Sequence, residues 1–141
     1  MGRLDDAEPC FEQAIDLDPR HAEALNNLAY IMATRVKKLD QALVYADRAL
    51  AEDAMRPEFH HTRGWVLFKT GEVAQSIVAF NKALEIKPNY LLCRYNLGLA
   101  SYIAQNFSGA IDAFNAVLAS DPAHHKAMLF KAISLARIKK A

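Results

Sequence analysis

Residues 57–90 read PEFHHTRGWVLFKTGEVAQSIVAFNKALEIKPNY, and residues 91–124 read LLCRYNLGLASYIAQNFSGAIDAFNAVLASDPAH. Set one above the other, 34 positions apart, Gly64 falls on Gly98, Ile77 on Ile111, Ala79 on Ala113, Phe80 on Phe114, Asn81 on Asn115, Leu84 on Leu118 and Pro88 on Pro122. A fixed period of this length marks a stacked array in which one small supersecondary unit is used repeatedly. Within each copy the apolar residues recur at helical spacing, first as Phe59, Leu67 and Phe68, then as Ile77, Phe80, Ala83 and Leu84. That period argues for two amphipathic helices per copy. Thr70-Gly71-Glu72 turns the chain between them, and Lys87-Pro88-Asn89 ends the pair.

The same reading extends in both directions. Helices are predicted over residues 4–17, 21–35, 40–53, 57–70, 73–86, 90–104, 107–119 and 123–139, and no stretch alternates like a strand. Asp5 and Glu8 suit the amino-terminal cap of the first helix, with Pro9 near its first turn. Asp18-Pro19 ends that helix and Asp121-Pro122 ends the seventh. Ala54 stands where a proline would close its unit, so the helix before it is expected to run on or fray. Pro57 opens the next helix at a position that tolerates a missing N–H. No linker is rich in Gly, Ser or Pro, so the chain reads as one array.

Leu97-Gly98 with Tyr102, then Ala110, Phe114 and Pro122, resembles the tetratricopeptide repeat. Gly64, Gly71, Phe80, Ala83 and Pro88 carry the same pattern one period earlier, and Ala42, Ala49 and Leu50 carry it one unit before that. The resemblance implies an all-α, right-handed superhelical solenoid of antiparallel helix hairpins. Its divisions are a half repeat at 1–21, full repeats at 22–56, 57–90 and 91–124, and a terminal helix at 125–141. Gly64 and Gly98 allow the two helices of a hairpin to approach closely, Ala29 and Ala132 less so, and Phe11, Phe80 and Phe114 fill the gaps between hairpins. No hairpin can bury both of its faces, so stacking supplies the stability. Arg63 stands where the other full repeats have Leu28 and Leu97. It is expected to snorkel outward, or its helix to be rotated. Ala46 replaces the phenylalanine of its unit, and His60 and Arg94 take the place of the family's tryptophan.

The resemblance further implies that the first helices of the repeats line a concave groove. By register the groove positions are Asn26, Asn27, Tyr30, His61, Thr62, Trp65, Phe68, Tyr95, Asn96, Leu99 and Tyr102. Tyr30, Trp65 and Leu99 share one repeat position, and Asn27, Thr62 and Asn96 share another. Aromatic side chains with polar tips suit a peptide partner. A side-chain amide can both donate to and accept from a peptide backbone, so the asparagines look like part of an asparagine ladder. The alternative is that the aromatics only pack helix against helix. The family's chaperone-tail clamp needs a cluster of cations and asparagine. Only Asn96 and Lys126 match it, while Tyr30, Leu92 and Phe130 replace other members, so that activity is not expected.

A net charge of +1 argues against nucleic-acid binding by bulk electrostatics, and no apolar run approaches a membrane span. Residues 1–6 carry no apolar signal core. That feature and two unpaired cysteines, Cys10 and Cys93, point to the cytoplasm. Both thiols are expected to be small buried or half-buried groups. No HExxH, phosphate-cradling glycine loop or nucleophile elbow is present, so neither catalysis nor a cofactor is expected. The pairs His60-His61 and His124-His125 point apart on a helix and do not suit one metal.

Charge is uneven. Residues 1–20 hold six acids against Arg3 and Arg20, and residues 122–141 hold five basic residues and no acid. The expected function is a non-catalytic adaptor or scaffold that binds a peptide segment of a partner protein in the groove. The alternative is self-assembly, with the last helix of one copy completing the first helix of the next. Against it, the basic helix reads as a solvated terminal cap of the kind repeat arrays usually need. A recognition fragment of a larger enzyme is a third reading, since a start inside a repeat suggests that the chain is cut from a longer array.

Overall fold

The computed structural model describes residues 2–140, and side chains from residue 6 onward. The described residues form eight α-helices and no strand: α1 (Gly2–Leu17), α2 (Ala22–Thr34), α3 (Leu39–Glu52), α4 (Pro57–Thr70), α5 (Val73–Ile86), α6 (Leu91–Ile103), α7 (Phe107–Ser120) and α8 (His125–Lys140). None is long and apolar enough to cross a membrane. Each helix packs on the next. In addition α2 touches α4, α4 touches α6 and α6 touches α8, whereas α1, α3, α5 and α7 do not approach one another. The even-numbered helices therefore form an inner wall and the odd-numbered helices splay along the outside. That is the curvature of an all-α solenoid.

The turns inside the hairpins repeat one device. Val36, Gly71 and Gln105 occupy the same repeat position, and all three are left-handed, with φ of 53°, 87° and 62°. Behind each, two backbone bonds close the helix end: Glu72 N–H to Leu67 O and Gly71 N–H to Phe68 O, with Lys37 to Met32 and Val36 to Ala33, and Asn106 to Ser101 and Gln105 to Tyr102, as counterparts. This paired closure satisfies carbonyls that the helix end would leave bare. Glycine meets the need in one turn only.

Packing within the hairpins follows size complementarity. A Cβ on Gly64 would lie 2.7 Å from the Phe80 ring, and one on Gly98 would lie 2.6 Å from the Phe114 ring. Where Ala46 replaces the phenylalanine, Ala29 replaces the glycine, and both are buried. The core runs along the array as three clusters: Leu25, Leu28, Met32, Phe59 and Val66 in the first, Phe80, Leu84 and Cys93 in the second, and Phe114, Val117 and Ala127 in the third. Each fully buried phenylalanine is worth about 1.5–3 kcal/mol of transfer free energy.

Several local expectations need correction. Helix α1 begins at Gly2, so Asp5 is not its cap and Pro9 lies beyond the first turn, inside the helix. Glu8 instead pairs with Arg35 on the neighbouring hairpin. Helix α3 does not run on past Ala54. It stops at Glu52 because Asp53 is extended, and the Asp53 carboxylate accepts the Met55 N–H at 3.0 Å. Arg63 does snorkel, donating from Nε to Asp47 Oδ1 at 2.7 Å. Cys10 is exposed rather than half-buried, while Cys93 is buried. Burial pushes the Cys93 thiol up to about 12.

Candidate functional site

On the inner wall, α2, α4 and the start of α6 border an open cavity of about 330 Å³ lined by Asn26, Asn27, Tyr30, Glu58, His61, Thr62, Tyr90 and Leu92. Helix α2 contributes Asn26 and Tyr30 one turn apart, and α4 contributes Glu58, His61 and Thr62 at the matching helical spacing. Tyr90 precedes α6 as its capping residue, so the chain path rather than a helix face brings it in.

His61 is the centre of this arrangement. It is 2% exposed, and its ring lies 6.3 Å from Tyr30, 5.8 Å from Phe80 and 5.1 Å from Tyr90, centroid to centroid. Desolvation holds its pKa down to about 4 against an opposing pull from Glu58, so the imidazole is neutral at neutral pH. The Asn96 amide nitrogen lies 2.9 Å from Nε2 and the Tyr90 hydroxyl 3.4 Å from Nδ1. Both ring nitrogens are therefore engaged, Nε2 by the Asn96 amide and Nδ1 by Tyr90. Which partner donates at each contact follows the tautomer of the ring. Burial also pushes the Tyr90 phenol up to about 12, keeping its proton in place.

Asn26 and Asn27 complete the polar lining. The Asn26 amide nitrogen donates to Asn27 Oδ1 at 3.4 Å. Asn26 Oδ1 is the buried side-chain oxygen that accepts nothing within the described residues. Asn27 is exposed, and its own NH2 remains available. An orphaned buried acceptor costs about 1–3 kcal/mol. The one formal charge in the lining is Glu58, which is already flanked at the rim by Arg56 at 3.7 Å and Lys87 at 3.8 Å.

The remaining positions read from the sequence lie elsewhere. Asn96 is buried beneath the cavity as the support of His61. Trp65 stacks on Phe68 at 5.8 Å, has Lys69 over its ring and donates to Thr34 at 3.4 Å. Tyr95 packs against Phe114 and His124, and Leu99 joins the third cluster. Tyr102 lines a different cavity, with Phe107, Arg137 and Lys140. Glu58 and Tyr90 were missed. Glu58 repeats Glu23 one unit earlier, which was the available signal, whereas nothing in a helical period points at a turn residue such as Tyr90. Among the described residues no three His, Cys, Asp or Glu side chains could hold a metal ion.

Hairpins stacked on a small-residue/phenylalanine period, with an inner wall of first helices, define a helical-repeat protein. The chain belongs to the tetratricopeptide repeat family: the family model described as tetratricopeptide repeat matches residues 1–54 and 94–141. The model for anaphase-promoting complex, cyclosome, subunit 3, matches residues 35–117. No curated protein matches in sequence. Solved structures share the fold at low identity. MamA superposes with a TM-score of 0.82 at 20% identity, covering 94% of this chain and 77% of that one. YrrB, described as a TPR protein with an unusual peptide-binding site, gives 0.78 at 20% identity and covers 98% and 71%. The first TPR of Spaghetti (RPAP3), bound to the HSP90 peptide SRMEEVD, gives 0.80 at 18% identity and covers 86% and 96%.

Proposed function

We propose that this chain is a non-catalytic interaction module that holds an extended segment of a partner protein along the wall formed by α2, α4 and α6, acting as an adaptor or scaffold. The observation that carries the reading is the inner-wall cavity, which His61, Tyr30, Tyr90 and the polar side chains of Asn26, Asn27 and Thr62 line together. YrrB and the Spaghetti domain, which share the fold, are described with peptide sites, and this supports the same use of the wall here. The test is selection from a displayed random-peptide library on the wild-type chain and on a Tyr30→Ala, Trp65→Ala double variant, with circular dichroism to verify folding. Peptides retained by the wild type and lost by the folded variant are expected. Equal retention by both, or no selection at all, sinks the groove reading.

A second reading, head-to-tail association, is favoured by α8. Met128, Ala132 and Leu135 stand one period after Arg94, Gly98 and Ser101, the face of α6 that α7 covers, and on α8 they are exposed. On α1, Ala7, Phe11 and Ala14 are only partly covered, whereas Ser76, Phe80 and Ala83 of α5 are buried. The two terminal segments, 1–20 and 122–141, carry opposite charge balances.

A further inference from the structure

A second open cavity, of about 390 Å³, lies between the end of α6, the turn before α7 and the last turns of α8. Tyr102, Ile103, Gln105 and Phe107 line it from one side, and Arg137 and Lys140 from the other. The Tyr102 and Phe107 rings lie 5.6 Å apart, centroid to centroid, and Ile103 is 55% exposed. Arg137 and Lys140 stand three residues apart on α8, which puts them on one face.

The charge of this lining is one-sided. No carboxylate takes part in it, and residues 122–141 contain no acid. Arg137 also differs from the other arginines whose side chains are described. Arg20, Arg35, Arg56 and Arg63 pair with carboxylates, and Arg48 and Arg94 donate to carbonyls. Among the described residues neither Arg137 nor Lys140 has a hydrogen-bonded or ion-pair partner. Cations in a last turn suit the helix dipole, but that holds for Lys139 too and does not gather two of them at one cavity beside aromatic rings.

An ammonium is repelled by both cations. A hydroxyl or a carboxamide can meet Tyr102 and Gln105 but compensates neither charge. Among the side chains of an unmodified peptide only a carboxylate is anionic at neutral pH, and its two oxygens can take a guanidinium fork and a neighbouring ammonium together. We propose that this cavity is a subsite for an aspartate or glutamate side chain of the bound segment, with the carboxylate held between Arg137 and Lys140 and the stem against Tyr102, Ile103 and Phe107. The proposal rests on the groove reading and deepens it. This cavity and the one around His61 border opposite ends of α6, at Tyr102 and Leu92. They are about 15 Å apart along the helix axis, which about five residues of extended chain span. Tyr30 and Leu92, which replace members of the chaperone-tail clamp, belong to the other cavity, so the two sites are separate.

The experiment is an NMR titration of the full chain, followed at the rings of Tyr102 and Phe107 and at the Arg137 Nε–H. The probes are the N-acetyl methylamides of glutamate, glutamine and lysine, with inorganic phosphate and phosphatidylserine vesicles as other sources of negative charge. The glutamate compound is expected to shift these signals and to bind roughly tenfold more tightly than glutamine, its neutral isostere, the worth of a charge-assisted contact. The lysine compound should not bind. An Arg137→Gln, Lys140→Gln double variant is expected to lose the preference for glutamate. A Lys131→Gln, Lys139→Gln double variant removes the same charge outside the cavity and should keep it, with circular dichroism to verify that both fold. Glutamine binding as well as glutamate, equal loss in both double variants, or tighter binding of phosphate or vesicles at these residues overturns the subsite. Selected peptides that need Tyr30 and Trp65 but are not enriched in aspartate or glutamate also overturn it, and leave the groove reading standing. Failure to select any peptide removes the groove reading itself, and the subsite with it.

Discussion

His61 is a buried imidazole whose folded-state pKa, about 4, lies well below its ordinary 6.5. In the unfolded chain it takes up a proton as the pH falls through the ordinary value, while the native state resists until about 4. The stability gained by keeping it neutral is therefore complete above pH 6.5 and is lost progressively between 6.5 and 4, at about 1.4 kcal/mol per pH unit. Urea unfolding at neutral pH and at about pH 5, on the wild type and on His61→Gln, isolates this contribution. The wild type should lose more stability on acidification than the variant, and equal losses would show that His61 is not the group responsible. The repeat period assigned His61 to the inner wall. It did not show that the ring would be buried, because its partners Asn96 and Tyr90 come from the next hairpin.

At the scale of the helix and its turn, two substitutions test which physical term dominates. Helix propensity alone favours Gly98→Ala by about 1 kcal/mol. The new Cβ, however, meets the fully buried Phe114 ring at 2.6 Å, and overpacking costs about 1–3 kcal/mol. Gly98→Ala should therefore lower the melting temperature. Gln105 holds a left-handed φ of 62° in the turn before α7, where a side chain costs about 1–2 kcal/mol. Gln105→Gly should raise the melting temperature, by less than that relief because glycine adds freedom to the unfolded chain. If thermal unfolding gave the opposite pair of signs, ring contact and backbone conformation would not be what sets these positions. The sequence made the Gly–Phe pairs visible through their repetition. It hid the left-handed turn position, because Val36 and Gln105 stand where only Gly71 signals it, and it misplaced the start of α1, where an acidic residue resembled a cap.

For the whole molecule, head-to-tail association predicts a dependence on both concentration and salt. Light scattering on concentrated samples at low ionic strength should give a mass above the monomer, and added salt should return it, since exposed charges are screened within about 10 Å at 0.1 M salt. Leu135→Glu on the exposed face of α8 should abolish the association while leaving the groove experiments unchanged. A monomer at every concentration in low salt removes that reading.

What the sequence determined by itself is the period, and with it the all-α hairpin architecture, the pairing of small residues with phenylalanine, and the set of positions on the inner helices. These follow from short-range rules, helical spacing and side-chain size, repeated in register. What only the tertiary structure decided is which of those positions meet. Asn26, Tyr30, His61 and Glu58 share one cavity, while Trp65 pairs with Phe68 and Tyr102 lines another space. Tyr90 enters from a turn, and Asn96 serves His61 from below. The physical reason is that a period fixes the face each side chain takes, whereas hydrogen-bond partnership and desolvation depend on the distance and angle between hairpins, which stacking of the whole array sets.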